Sequence, residues 1–251
     1  MKRLGGMQPY FFPYIGYWQL INAVDCFVLF DESQYIRRGW VSRNRILGPD
    51  GNWHYITVPL QKHPVSTAIK DVPLAPDGVW RGRILNQLAQ YRKTAPHYRD
   101  THAFVEEMLH SGNENTLGAL NCRIIADVCE LLSIETELIV SSAHPFDYSE
   151  VRETGDWPLF QALQLGATDV INPVGGFGLL DVEKFTANDI GLSMIQVPQV
   201  RYGQPAEMLQ PSLSIIDVLM YNGVAGTRHL LQECEITRIS QAAAGASQAG
   251  G

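Results

Sequence analysis

Residues 1–31 read MKRLGGMQPYFFPYIGYWQLINAVDCFVLFD, and this stretch decides the fold. Met1 to Gln8 has the character of a short strand that runs into a breaker, Pro9 to Pro13. From Tyr14 to Val24 the spacing turns helical, with Ile15, Trp18, Leu20, Ile21 and Val24 largely on one side. Asp25 ends the helix, and Cys26 to Phe30 is an unbroken apolar run, the pattern of a strand buried on both faces. Strand, helix and strand within thirty residues make a βαβ unit, which implies a parallel pair.

Working outward, Pro49-Asp50-Gly51 is a turn signal, and Trp53 to Leu60 is strand-like, so a hairpin is expected around 44–60. Helices are expected over 79–93, 101–111 and 115–132. Glu135 to Ser141 is a strand. A helix over 150–166 and a strand over 167–172 make a second strand–helix–strand unit. A helix over 181–189 precedes a last strand at 192–197. Ser212 to Tyr221 is a helix capped by Ser212 or Ser214, with Asp217 in the acidic position of a capping box and Asn222-Gly223 as its stop. The expected fold is α/β, a mainly parallel sheet with flanking helices, Rossmann-like, with a helical insertion. One α/β domain is expected over 1–239, with its helical lobe at about 79–132. The Ala/Gly/Ser/Gln tail at 240–251 has little to bury and is expected to be disordered.

Composition narrows the function. The chain has 251 residues, a net charge of −7 and 45% hydrophobic residues, as ordinary globular proteins have. An acidic balance argues against a nucleic-acid-binding or polybasic membrane protein. No apolar run approaches the ~18 residues of a membrane span. Lys2 and Arg3 are followed by no signal-peptide core, so a cytoplasmic protein is expected. Cys26, Cys122, Cys129 and Cys234 include no CxxC pair, which points to buried reduced thiols rather than a zinc site or disulfides. The chain carries no HExxH, Walker loop, GxSxG or GxGxxG.

Four clusters carry candidate chemistry. Gln8 to Tyr17 joins the first strand to the first helix, where open α/β sheets bind ligands; the plain alternative is an aromatic plug. Asp31 to Arg45 follows the second strand and holds four arginines within nine positions, Arg37, Arg38, Arg43 and Arg45. Arginine forks bind phosphate or carboxylate bidentately. Alternation puts Arg43 and Arg45 on one face and Asn44 on the other. The third cluster is Asn172 to Gly178, a glycine loop after a strand. The fourth joins Tyr202-Gly203-Gln204 to Ser212–Asp217. Of the histidines, His54 and His63 approach one region and His97 lies between helices, but no pair has metal spacing.

In order and together, QPYFFPYIGYWQLINAVDCFVLFDESQY, SRNRI, the glycines at 175–176, RYGQ and LSIIDVLMYNG resemble the WbqC-like protein family over nearly the whole chain to about residue 235. Gly5 and Gly6 depart from it, standing where the family's first strand is more apolar. The resemblance implies a setting in surface-polysaccharide synthesis, such as O-antigen, or in secondary metabolism. It points to no particular cofactor, and the cofactor stays open. A second, partial resemblance is to nucleotidylyl-transferase-like enzymes, whose His-x-Gly-His is here Tyr14-Ile15-Gly16-Tyr17, without its positive charge.

These readings converge on a transferase that moves an acyl or aminoacyl group onto an amine. ATP-dependent nucleotidyl transfer or carboxylate adenylation is the first rival, and a non-catalytic ligand-binding accessory protein the second. Asp31 and His54 are the candidate catalytic residues. Gln8, Tyr14, Tyr17, Gln34, Arg37, Arg43, Asn44, Arg45, Gly175 and Gly176 are the candidate substrate-binding residues, with Tyr14 and Tyr17 at the entrance. The expected partner is a small-molecule or carrier-linked substrate with a phosphate or carboxylate group, with no resident metal, no nucleic acid and no membrane.

Overall fold

The computed structural model describes residues 1–198, 202–205 and 209–239. The expected tail at 240–251 and Arg201 of the RYGQ stretch lie outside the described residues. The strands are β1 (Arg3–Met7), β2 (Cys26–Leu29), β3 (Arg43–Leu47), β4 (Trp53–Thr57), β5 (Glu137–Val140), β6 (Asp169–Pro173), β7 (Gly191–Gln196) and β8 (Glu235–Arg238). The α-helices are α1 (Ile15–Asn22), α2 (Val79–Leu88), α3 (Tyr98–His110), α4 (Leu117–Leu132), α5 (Asp156–Leu165), α6 (Val182–Ala187) and α7 (Ile215–Leu230). Six strands form one sheet in the order β5-β2-β1-β6-β7-β8, while β3 and β4 form a separate antiparallel ribbon. All neighbours in the large sheet are parallel except β7 and β8. The fold is thus α/β and Rossmann-like.

The apolar run of β2 feeds two cores. Phe27 and Leu29 join α1, α4 and α7 on one face of the sheet, and Cys26 and Val28 join α5 and α6 on the other. Helices α2 and α3 share the first of these cores, through Trp80, Leu88, Val105 and Met108. Gly5 has a packing reason. A Cβ there would lie 3.1 Å from the Phe27 ring and 3.5 Å from Leu20, so the missing side chain lets α1 settle close on β1.

The structure refines four expectations. Helix α5 starts at Asp156, not 150, because the Asp156 carboxylate accepts the N–H groups of Arg152 and Glu153 in a turn that precedes it. The second strand–helix–strand unit forms as β5-α5-β6, and its two strands are not neighbours in the sheet. From β5 the chain passes over β2 and β1, and β6 pairs with β1. The expected stop of α7 at Asn222-Gly223 is a break between two helical segments. At Gly223 the backbone is non-helical, with φ 60° and ψ −173°, and a second segment then runs to Leu230. Finally, β8 adds an antiparallel edge to the sheet; its four residues are all exposed, so they lack the apolar alternation that marks a strand.

Gly223 supplies a backbone shape that side-chain-bearing residues avoid, and an added Cβ would sit 2.7 Å from His97 Nδ1. Gly223→Ala is therefore expected to cost about 2 kcal/mol or more in urea unfolding. Gly175→Ala, where an added Cβ meets open space, is expected to leave the midpoint within experimental scatter.

Candidate functional site

Strands β1 and β6 lie side by side, but the chain leaves β1 toward β2 and leaves β6 toward β7. Their carboxyl ends therefore mark the switch point of the sheet, where open α/β folds leave a crevice. The segment Gln8–Tyr14 caps that point without regular structure, and its two prolines bring no N–H. Its carbonyls are satisfied from other elements. Tyr17 Oη donates to Gln8 O (3.0 Å), Asn121 Nδ2 to Pro9 O (2.8 Å) and Trp18 Nε1 to Pro13 O (3.0 Å). Asn44 Nδ2 donates to both Phe11 O (3.1 Å) and Phe12 O (2.8 Å). Ser214 Oγ donates to Phe12 O as well (2.8 Å). Phe12 has φ 42°, a left-handed conformation that a bulky residue holds only when its surroundings force it.

Beside this segment lies a cleft of about 580 Å³, a size suited to a small ligand or cofactor arm. Tyr14 and the first turn of α1 form one wall, Pro173 to Gly175 after β6 the second, and Tyr202, Ser212 and Leu213 the third. Burial pushes the Tyr14 hydroxyl above its usual range, so it stays protonated at neutral pH. Three sequence clusters thus meet in one cleft. The second cluster, Asp31 to Arg45, reaches its rim: Arg45 Nη2 donates to Ser212 O at 3.3 Å, and Ser214 N donates to Arg45 O at 2.8 Å.

On the other side of β1, Asp31 is 3% exposed. It accepts from Ser142 N (3.0 Å) and Ser142 Oγ (2.6 Å), so the ends of β2 and β5 are tied together. Glu32 accepts from Ser141 Oγ (2.7 Å) and pairs with Lys70 (3.3 Å). Tyr148 Oη shares a hydrogen bond with Ser141 Oγ (3.0 Å) and accepts from Gln161 Nε2 (3.1 Å). Gln8 reaches the same area, donating to Ser33 Oγ at 3.0 Å.

The remaining candidates divide. Gly175 lines the cleft, whereas Gly176 packs against the Asn172 amide. Tyr17 does not stand at an entrance: it is fully buried beneath Gln8, and α1 needs it there as core. Asn44 is buried, and its amide is consumed by the loop carbonyls and by Arg45 N. Gln34 donates to Val65 O on the surface, and Arg37 is exposed. His54 bonds Asp50 at 3.1 Å and pairs across the ribbon with Ile46, on the face opposite Arg43 and Arg45. No hydrogen bond links it to Asp31, and the two catalytic candidates share no hydrogen-bond partner among the described residues. The four thiols are free, and burial pushes those of Cys122 and Cys129 up to about 12, which leaves them poor nucleophiles.

Asp217 was expected to close a capping box. Ser214 does cap α7, with its Oγ accepting from Ile216 N, but Asp217 turns inward. It is fully buried and accepts from Tyr91 Oη (2.5 Å), Tyr202 Oη (2.6 Å) and Gln204 Nε2 (2.6 Å). Tyr91 in turn accepts from Leu47 N (2.8 Å), so this carboxylate links the ribbon to the cleft wall. Sequence reasoning also passed over Ser142 and Tyr148; isolated Ser and Tyr residues after a short strand carry no pattern.

A family model described as the WbqC-like protein family matches residues 8–229. The chain is also similar to the uncharacterized protein Rv1507c of Mycobacterium tuberculosis (strain ATCC 25618 / H37Rv). The two are 27% identical over 238 residues, an alignment covering 92% of this chain and 98% of that protein. No solved structure matches. Among the described residues, no helix is long and apolar enough to cross a membrane.

Asn44→Ala removes both donors to Phe11 O and Phe12 O and is expected to cost about 2 kcal/mol, read as a lowered urea midpoint. Asp217 gives a pH signature. Burial pushes its carboxyl above the usual range, against the pull of hydrogen bonds from Tyr202, Tyr91 and Gln204. The folded chain thus holds this proton more tightly than the unfolded chain, and its contribution to stability falls as pH rises from the ordinary value through the raised one. The stability of the wild type relative to Asp217→Asn should therefore increase as urea melts are moved from neutral pH toward about pH 4.

Proposed function

Because the chain belongs to the WbqC-like protein family, with its model spanning residues 8–229, we propose that it is a transferase forming an amide between a carrier-linked acyl or aminoacyl group and an amine acceptor. The observation that carries this reading is the cleft at the switch point, with Arg45 at its rim, and, across β1 from it, a buried carboxylate that accepts from the exposed Ser142 hydroxyl. Surface-polysaccharide or secondary-metabolite synthesis is the setting that fits the resemblance, with an amino sugar as acceptor.

Spacing favours a long donor. At ~4.8 Å per strand, β2 and β6 lie about 10 Å apart with β1 between them. A donor held in the cleft needs an extended arm to bring its carbonyl to Asp31, and a carrier-linked acyl group has one. The acceptor nitrogen attacks the acyl carbonyl and the C–N bond forms. The amine proton passes to Ser142 Oγ as the Ser142 proton moves onto Asp31 Oδ2. The bond from the carbonyl to the carrier sulfur or oxygen then breaks, and Asp31 returns its proton to that leaving atom through Ser142. Asp31 is preferred over His54 as base, because His54 is engaged with Asp50 in the ribbon turn. Tyr14 lines the cleft, and Gln8, at the end of β1 between the two places, donates to Ser33 Oγ.

The test supplies the full chain with acetyl-coenzyme A and a panel of amino sugars, and follows thiol release and product mass. Amine-dependent thiol release supports the transferase. Asp31→Asn is expected to lower kcat about a hundredfold or more with little change in KM or melting temperature. Pyrophosphate release from ATP with a carboxylate would replace this reading with adenylation. Ligand binding with no product under either regime would replace it with an accessory role.

A further inference from the structure

The ribbon carries its arginines on the face opposite His54, and that face is not part of the cleft. The register pairs Arg45 with Tyr55 and Leu47 with Trp53, which places Arg43, Arg45, Trp53 and Tyr55 on one side. Arg43 Cζ lies 4.0 Å above the Tyr55 ring. Arg45 Cζ lies between two indoles, 5.1 Å from Trp40 and 5.3 Å from Trp53. Trp53 and Tyr55 meet edge to face at 5.0 Å. Trp40 is 39% exposed and Trp53 40%, a costly way to spend two indoles on a purely structural surface.

The charge on this face is unanswered. None of Arg37, Arg38, Arg43 and Arg45 is paired with a carboxylate among the described residues. The Nε atoms of Arg43 and Arg45 are buried with no hydrogen-bond partner. The rings hold both guanidinium planes fixed; Arg43 Nη2 donates to Arg38 O and Arg45 Nη2 to Ser212 O, which leaves Nη1 of each arginine to meet a phosphate. The two arginines are two residues apart along one strand, about 7 Å, wider than a single carboxylate and within the reach of two linked phosphates.

We infer that this face binds a nucleoside diphosphate, with Arg43 and Arg45 on the diphosphate and the base stacked on the exposed indoles. Electrostatics decides against a polynucleotide. The chain carries −7 overall, which repels a long polyanion. A small anion at the face responds to charges within a Debye length of ~8 Å, where the arginines dominate. The Arg45 bond to Ser212 O joins this face to the cleft, so a group carried on the diphosphate points toward it. On the proposed reading of the cleft, this makes one substrate nucleotide-activated, and the binding claim rests on that reading only for its direction.

The test is calorimetric titration of the full chain with UDP, ADP, uridine, inorganic diphosphate and a single-stranded oligonucleotide. UDP or ADP is expected to bind and uridine not detectably. Arg45→Ala should weaken the nucleotide and inorganic diphosphate alike by about tenfold or more. Trp53→Ala should weaken the nucleotide about tenfold and leave inorganic diphosphate unchanged. Arg45→Lys, which keeps the charge but loses the fork, guards against a folding defect and should recover only part of the loss. Absence of nucleotide binding, or nucleotide binding unchanged in Arg45→Ala and Trp53→Ala, overturns the inference; so does tighter binding of the oligonucleotide. Nucleotide binding without acyl transfer would keep this site and remove the proposed reaction, and transfer without nucleotide binding would do the reverse.

Discussion

The carbonyl of Phe12 is the point on which the rest of the architecture closes. A proline-rich segment cannot satisfy its own backbone, and here it is packed against α1, α4, β3 and the start of α7 at the carboxyl end of the sheet. Buried carbonyls need donors, and side chains from those elements supply them. Phe12 is held in a left-handed shape because Asn44 and Ser214 both donate to it. Its neighbours at Phe11 and Pro13 are tied in the same way, so the direction of Tyr14 into the cleft follows from hydrogen bonds made several residues earlier.

This explains why polar residues in the candidate site serve two different ends. Asn44, Asn121 and Tyr17 are buried and donate to backbone carbonyls, and buried Asp217 accepts from Tyr91, Tyr202 and Gln204. Arg43, Arg45, Tyr14 and Ser142 stand in front of them with capacity left over. The inner set fixes position, and the outer set is free to meet a ligand. In β3 the division falls between adjacent residues, since the pleat sends Asn44 inward and its two arginine neighbours outward.

Much of this was legible in the sequence, and the failures have physical causes. The first βαβ unit was readable because its three signals, breaker, helical spacing and continuous apolar run, do not depend on distant contacts. The alternation of Arg43, Asn44 and Arg45 was readable for the same reason. The roles of Tyr17 and Asp217 were not, because whether a tyrosine faces solvent or a carboxylate turns inward depends on partners far away in the chain. Asp217 meets Tyr91, separated from it by 126 positions. Four clusters could be marked along the chain, but only the strand order, with β6 beside β1, brings three of them to one cleft.

The distance between the partners of Phe12 has a consequence for how the molecule is made. Ser214 is 202 positions from Phe12, and β6 begins 166 positions after β1. On a ribosome the first strand emerges early, yet neither its second neighbour nor the donor that locks its loop exists until most of the chain has been synthesised. Such long-range closure slows folding and leaves an open strand edge exposed in the interval. The cleft is accordingly the last feature to assemble, and a nascent chain that stalls before α7 carries the sheet's central strand without the geometry that would let it hold a substrate.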